Sequence, residues 1–223
     1  MSQNSQPDAW QVTADLTAAI AADPDNADLY YARATAWHRL NENTRAMPDY
    51  DRVLRLQPQH AAAYNDRGVA WWHLGHCDRA LEDFSAALNH DPDYALAWIN
   101  RGDLYTSRGE SAAARADYEA VIDRLSTSLG QQPDDAHLLT LRGAACNRAG
   151  QLETALRDLN AAARQLPETA KVFRHRGEVL LKLGQHKLAV ADFDHALTFD
   201  PHNPVIASLR AVALAASAQD PPH

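Results

Sequence analysis

The tightest grouping of residues that could do chemistry is His73, His76 and Cys77, set around Gly75. Imidazole and thiolate are good ligands for soft transition metals. A fourth ligand is not visible near them, and Cys77 takes a place usually filled by an apolar residue. The acidic stretch Asp23–Asp28 (DPDNAD) has the carboxylates of a calcium loop but lacks its glycine and closing glutamate, so it reads as a turn. The remaining histidines are scattered, and Cys146 reads as a core residue. No glycine-rich phosphate loop, His-Glu-x-x-His, Cys-x-x-Cys or nucleophile elbow is present. The expectation is therefore no catalytic residue, no cofactor and no metal: a binding protein, not an enzyme.

A formal net charge of −8 argues against general nucleic-acid binding, which needs a concentrated cationic face. No apolar run approaches the roughly 20 residues that span a bilayer, so membrane insertion is not expected. Residues 1–10 carry no secretory pattern, and two distant cysteines give no disulfide framework. These features point to a cytoplasmic protein.

The elements that position the side chains are repeats. Tyr64–Pro92 and Phe173–Pro201 align without gaps with each other and with Leu139–Pro167, and Trp98–Gly109 repeats their first half. Pro58 to Pro92 and Pro167 to Pro201 are each 34 residues apart. In Ala61–Gly75, Tyr64, Gly68, Trp71 and Leu74 form one helical stripe, and Gly75 ends that helix. A second helix follows with Ala80, Leu81, Phe84, Ala87 and Leu88 on its buried face, stopped at Asp91-Pro92. Mid-helix Gly68, Gly102, Gly143 and Gly177 recur opposite Ala80, Ala114, Ala155 and Ala189, which predicts close small–small packing despite a glycine cost of about 1 kcal/mol.

This pattern resembles the tetratricopeptide repeat family over roughly residues 9–218, most fully in Tyr64, Gly68, Trp71, Ala80, Phe84, Ala87 and Pro92. Ala34 and Val53 depart from it, and the unit at 136–169 has no aromatics. The resemblance implies an all-α fold, a right-handed α-solenoid of stacked helix–turn–helix units. The units expected are 27–60, 61–94, 95–135, 136–169 and 170–203. A half-repeat capping helix (9–26) precedes them and a C-terminal capping helix (204–218) follows, with disordered tails at 1–8 and 219–223.

Arg33, Arg67, Arg101, Arg142, Arg176 and Arg210 recur in first helices, and Asp49, Asp83, Asp117, Asp158 and Asp192 in second helices. Antiparallel packing would bring the two series level, giving an Arg–Asp ladder within units or between neighbours; a row of ligand-binding arginines is the alternative. Seven extra residues between Asp123 and Pro133 read as two added helical turns ended near Gly130, or as a loop. Pro48 should delay its helix or remove one hydrogen bond. Ile206 and Leu214 of the apolar closing helix are expected to stay uncovered, or to fold onto the last unit.

The resemblance further implies that first helices line a ligand groove. Its side chains would be Tyr31, Thr35 and His38 in the first full unit, then Asn65, Trp72 and His73, with Arg148, Lys171, Arg174 and Lys182 toward the C-terminal end. Trp72 reads as an interface anchor or as packing on a neighbouring helix. The basic cluster suits an acidic segment or a free C-terminal carboxylate, unless those charges are merely solvated and paired with Glu178. The expected role is a non-catalytic protein–protein interaction scaffold holding a peptide or partner helix. A self-assembling subunit, a homodimer through the apolar C-terminal helix, is the alternative.

Overall fold

The computed structural model describes residues 9–219. The expected tails, apart from Gln219, lie outside the described residues. Among these residues the regular structure is helical, in twelve α-helices without a strand. The chain divides into two compact units. The first, up to Asp117, holds α1 (Ala9–Ala22), α2 (Ala27–Arg39), α3 (Asn43–Leu56), α4 (Ala61–His73), α5 (Cys77–His90), α6 (Ala95–Ser107) and the start of α7 (Ser111–Gln131). The second holds the rest of α7, α8 (Ala136–Arg148), α9 (Leu152–Gln165), α10 (Ala170–Lys182), α11 (His186–Phe199) and α12 (Pro204–Ser217). Within each unit successive helices pair antiparallel, an all-α solenoid of helical repeats.

Local chemistry sets the boundaries. Asn26, Asp135 and Asn203 cap α2, α8 and α12 by accepting from backbone N–H groups of the first turn, and Pro204 stands where a missing N–H costs nothing. First helices end where the chain turns left-handed, at Gly75 with φ 83°, and the amide of the next residue, His76, returns to the Trp71 carbonyl. In the first repeat Asn41 takes that conformation, with φ 59°. Pro48 does not delay α3, which starts at Asn43; the proline removes the bond that the Thr44 carbonyl would otherwise accept. The extra residues after Asp123 are helical, and α7 runs through Gly130 to Gln131.

The cores form between paired helices. Tyr50, Phe84, Leu159 and Phe193 are fully buried on α3, α5, α9 and α11. The mid-helix glycines make room chiefly for these side chains. A Cβ on Gly177 would lie 2.6 Å from the Phe193 ring, and one on Gly143 would lie 2.7 Å from Leu159 Cγ. At Gly68 it would meet the Phe84 ring at 2.8 Å, with the Ala80 carbonyl at 3.3 Å. The small partner expected opposite glycine is thus second to a large one four residues further on.

The Arg–Asp ladder forms within every repeat. Arg33, Arg67, Arg101, Arg142 and Arg176 each donate two bonds of 2.6–2.8 Å to the aspartate 16 residues later. These aspartates are buried and the arginines about a fifth exposed. Each arginine also reaches 16 residues back, to Thr17, Asp51, Ser85, Ser126 and Asn160 in turn. One guanidinium therefore ties its own second helix to the preceding one. Ser126 lies in the extended part of α7. Two added turns bring the helix back to nearly the same face, so the contact survives the insertion.

At the C-terminal end Ile206 is buried at 1% exposure, while Leu214 is 42% exposed, so only the second of the two expected uncovered side chains is open.

Candidate functional site

In the first unit, the sequence-derived candidates Tyr31, Thr35 and His38 lie on α2, and Asn65, Trp72 and His73 on α4. Tyr31 donates its hydroxyl hydrogen to Asp66 Oδ2 at 2.7 Å, and its ring lies 4.9 Å from that of His60. Burial first, then the Asp66 charge and hydrogen bond, push its phenol far above the ordinary range. Thr35 donates to the Tyr31 carbonyl at 2.9 Å. His38 and His73 stack with ring centroids 5.4 Å apart, and His38 Nδ1 meets Asn43 Oδ1 at 2.6 Å. Desolvation, then the neighbouring His38, lower the His73 pKa, which keeps that ring neutral at pH 7.

Asn65 is buried, donating to Asp66 and accepting from Asn100 at 2.9 Å. Trp72 is half-buried, packed with Val69 and Cys77 against the Ala80, Phe84 and Leu104 cluster. The first-unit face is thus a lattice of amide, phenol and imidazole groups gathered around one carboxylate, Asp66. Asp66, its centre, and Asn100 were absent from the sequence-derived set. Both lie about one repeat from their partners, a spacing readable only once first helices are known to touch their successors.

The possible metal ligands do not converge. His73 stacks on His38, the His76 ring packs edge-on to Trp71 at 5.2 Å, and Cys77 joins the apolar cluster. Among the described residues no three His, Cys, Asp or Glu side chains could share a metal ion. Burial pushes the Cys146 thiol up to about 11, which leaves it protonated and unreactive.

In the second unit, Arg148 lies on α8 and Lys171, Arg174 and Lys182 on α10. Lys182 Nζ donates to the Asn147 carbonyl at 3.0 Å, joining the two helices. Arg174 bonds Glu178 through Nη1 and approaches His175 Nε2 through Nη2 at 3.0 Å. A guanidinium can only donate, so His175 Nε2 accepts and its Nδ1–H faces Glu178 Oε2 at 3.4 Å. This fixes His175 as a neutral ring. Burial at 2% exposure, aided by Arg174 and Arg148, lowers its pKa to about 4 against the pull of Glu178.

Glu178 is the one carboxylate on α8 and α10. It is half-buried, and against that desolvation His175, Arg174 and Arg148 hold its pKa below the usual carboxylate range. Lys171 is exposed at its side-chain surface, but desolvation of its ammonium, then Arg174 and Arg148, lower its pKa. The cluster is therefore a cationic field drawn around a single internal carboxylate. His175 was not among the sequence-derived candidates, because a buried histidine in an apolar stripe reads as core.

Two family models, both described as tetratricopeptide repeat, match the chain, one over residues 32–97 and the other over 72–136 and 147–204. A thermophilic TPR protein from Thermus thermophilus is similar in structure, with a TM-score of 0.66 at 20% identity over 85% of this chain and 100% of that one. PilW, a widely conserved type IV pilus biogenesis factor, is similar with a TM-score of 0.56 at 21% identity over 91% of this chain and 90% of that one. At these identities the likeness is one of fold. No curated protein matched. No helix among the described residues is long and apolar enough to cross a membrane.

Proposed function

Because the chain belongs to the tetratricopeptide repeat family, whose members are typically non-catalytic protein–protein interaction scaffolds, we propose that it holds an acidic peptide segment, or a peptide's C-terminal carboxylate, against the first helices of its second unit. The observation that carries this reading is the charge count on α8 and α10. The two helices carry Arg148, Lys171, Arg174 and Lys182, beyond the ladder arginines, against one carboxylate, Glu178, with His175 neutral. The lowered Lys171 pKa supports it, since a group under that strain gains from a bound anion.

Taken by itself, the first unit presents Trp72, His73 and His38 as an aromatic surface. The ladder arginines are held by aspartates, which leaves them to structure. Repeat packing orders the face beforehand, so little entropy is lost on binding.

A fluorescent acidic peptide with a free carboxy terminus, titrated into the protein and read by anisotropy, tests the reading. Lys171→Glu, at an exposed position, should weaken binding about tenfold, near 1.4 kcal/mol, and amidating the peptide should do the same. Trp72→Ala should have a smaller effect on this peptide. An affinity indifferent to Lys171→Glu and to salt would remove the proposal.

A further inference from the structure

Each complete repeat covers a stripe of its first helix with its second helix. On α10 that stripe is Phe173, Gly177 and Leu180, all buried. On α12 the equivalent residues 34 positions later, Ala207, Ala211 and Leu214, are exposed. The closing helix thus presents the small–small–leucine face that elsewhere receives a second helix.

The opposite deficit stands at α1. Its Asp15, Leu16 and Ala19 precede Asp49, Tyr50 and Val53 of α3 by 34 residues, which makes α1 a second-type helix. Asp49, Tyr50 and Val53 are buried under α2, whereas Leu16 and Ala19 are only half-buried and Asp15 is exposed. An open, largely apolar cleft of about 640 Å³ runs between α1 and α2, lined by Val12, Leu16 and Ala19 on one side and Ala32, Thr35 and Arg39 on the other. Ala32 and Arg39 are the one-repeat-earlier counterparts of Asp66 and His73, through which α4 meets α2. The cleft is the seat of a first-type helix.

The ladder adds charge complementarity. Arg210, the sixth arginine of the series, holds its backward partner Asp194. Asp15 stands in a forward place, and the bond it accepts comes from Gln11 of its own helix. α12 thus offers a ladder-type arginine bonded backward to Asp194, and α1 a ladder-type aspartate bonded to Gln11 of its own helix.

We infer that the chain associates head to tail with a second copy, α12 of one molecule docking in the α1–α2 cleft of the next. Ala211 then lies over the partner's Leu16 as Ala34 lies over Tyr50 in the first repeat, and Arg210 grips the partner's Asp15 as Arg33 grips Asp49. The two surfaces differ, so the contact is heterologous and leaves a free end on each dimer. This goes beyond peptide binding, and it is tested with the protein alone, so either reading can fail without the other.

Light scattering coupled to size exclusion, over micromolar to millimolar concentrations, should show mass rising with concentration beyond a dimer. Leu214→Glu blocks one end and Asp15→Arg the other; both positions are exposed, and circular dichroism checks that each variant keeps its helix content. Each variant alone should stay monomeric across the range where the native chain assembles. Mixed one to one, they should form a dimer and nothing larger, through the Asp15 end of the Leu214→Glu chain and the Leu214 end of the Asp15→Arg chain. A native chain that is monomeric throughout overturns the inference. So does a dimer that Leu214→Glu abolishes and Asp15→Arg leaves intact, which would mean that α12 pairs with itself.

Discussion

Tyr31 in the first unit and Lys182 in the second each cross to a neighbouring first helix 35 residues away in sequence, one to the Asp66 carboxylate and the other to the Asn147 carbonyl. Both contacts lie on the seam between successive first helices, about two turns apart along it, and their chemistry differs. Around Tyr31 the polar groups answer one another: Asp66 accepts from Tyr31 and Asn65, and Asn65 from Asn100. Around Lys182 the two helices carry Arg148, Lys171 and Arg174 as well, against one carboxylate of their own, Glu178. A repeat fixes where a side chain stands and leaves open what it does, so the second-unit face can be read for ligand chemistry while the first is mostly committed to packing.

The largest effect that would sharpen this contrast lies in the ladder beneath the two faces. Arg67 of the first unit has a second carboxylate, Asp51 at 2.7 Å, whereas the backward partner of Arg142 in the second unit is the Ser126 hydroxyl. Asp158→Asn should therefore strand its arginine more completely than Asp83→Asn. We expect losses of about 3 and about 2 kcal/mol, between the values for buried and exposed pairs. Thermal unfolding followed by circular dichroism measures both. Equal losses would show that Asp51 gives Arg67 no support, and unchanged midpoints would mean that the ladder contributes no stability.

The second effect is a pH response centred on the second-unit face, where the shift is the larger; His73 of the first unit shifts in the same direction. The His175 pKa falls from its ordinary value, near 6.5, to about 4 in the folded protein. Folding thus favours the neutral ring. That stability is complete above the unfolded pKa and is lost as pH falls from about 6.5 toward 4. The loss between pH 7 and pH 5 should be about 2 kcal/mol. The charged groups acting on the ring are Arg174 and Glu178 of α10 and Arg148 of α8. His175→Gln keeps a donor and an acceptor but cannot titrate, so the acid-dependent loss should shrink by about 2 kcal/mol in that variant. A native protein with the same stability at pH 5 and pH 7 would place a solvated histidine there.

The fold was legible because its signals recur. Glycine, the large buried residue and the Arg and Asp series each return in phase, and recurrence turns a weak local cue into a register. What did not recur was not legible. The backward contacts of the ladder go to Thr17, Asp51, Ser85, Ser126 and Asn160, which share a polar atom and little else. Trp72, beside Trp71, could face either way from sequence alone, and in the structure both are half-buried against the Ala80, Phe84 and Leu104 cluster. Ile206 and Leu214 looked alike on an apolar helix, yet they lie on different sides of it. The candidate site was least legible of all, since His175 and Asp66 take their meaning from neighbours one turn or one repeat away.

The smallest effect compares how each unit packs a first helix onto its large buried residue. The first repeat carries Ala34 over Tyr50, and the fifth carries Gly177 over Phe193, where a Cβ would sit 2.6 Å from the ring. Gly177→Ala gains about 1 kcal/mol of helix propensity and pays for a ring displaced in a full core, typically about 1–3 kcal/mol. The net expectation is a loss of about 1 kcal/mol. Ala34→Gly, with no overlap to relieve, should also lose about 1 kcal/mol, through propensity alone. Chemical denaturation of the two variants reads the comparison directly. If Gly177→Ala stabilises instead, Phe193 can yield as Tyr50 already has, and the glycine is not there for the ring.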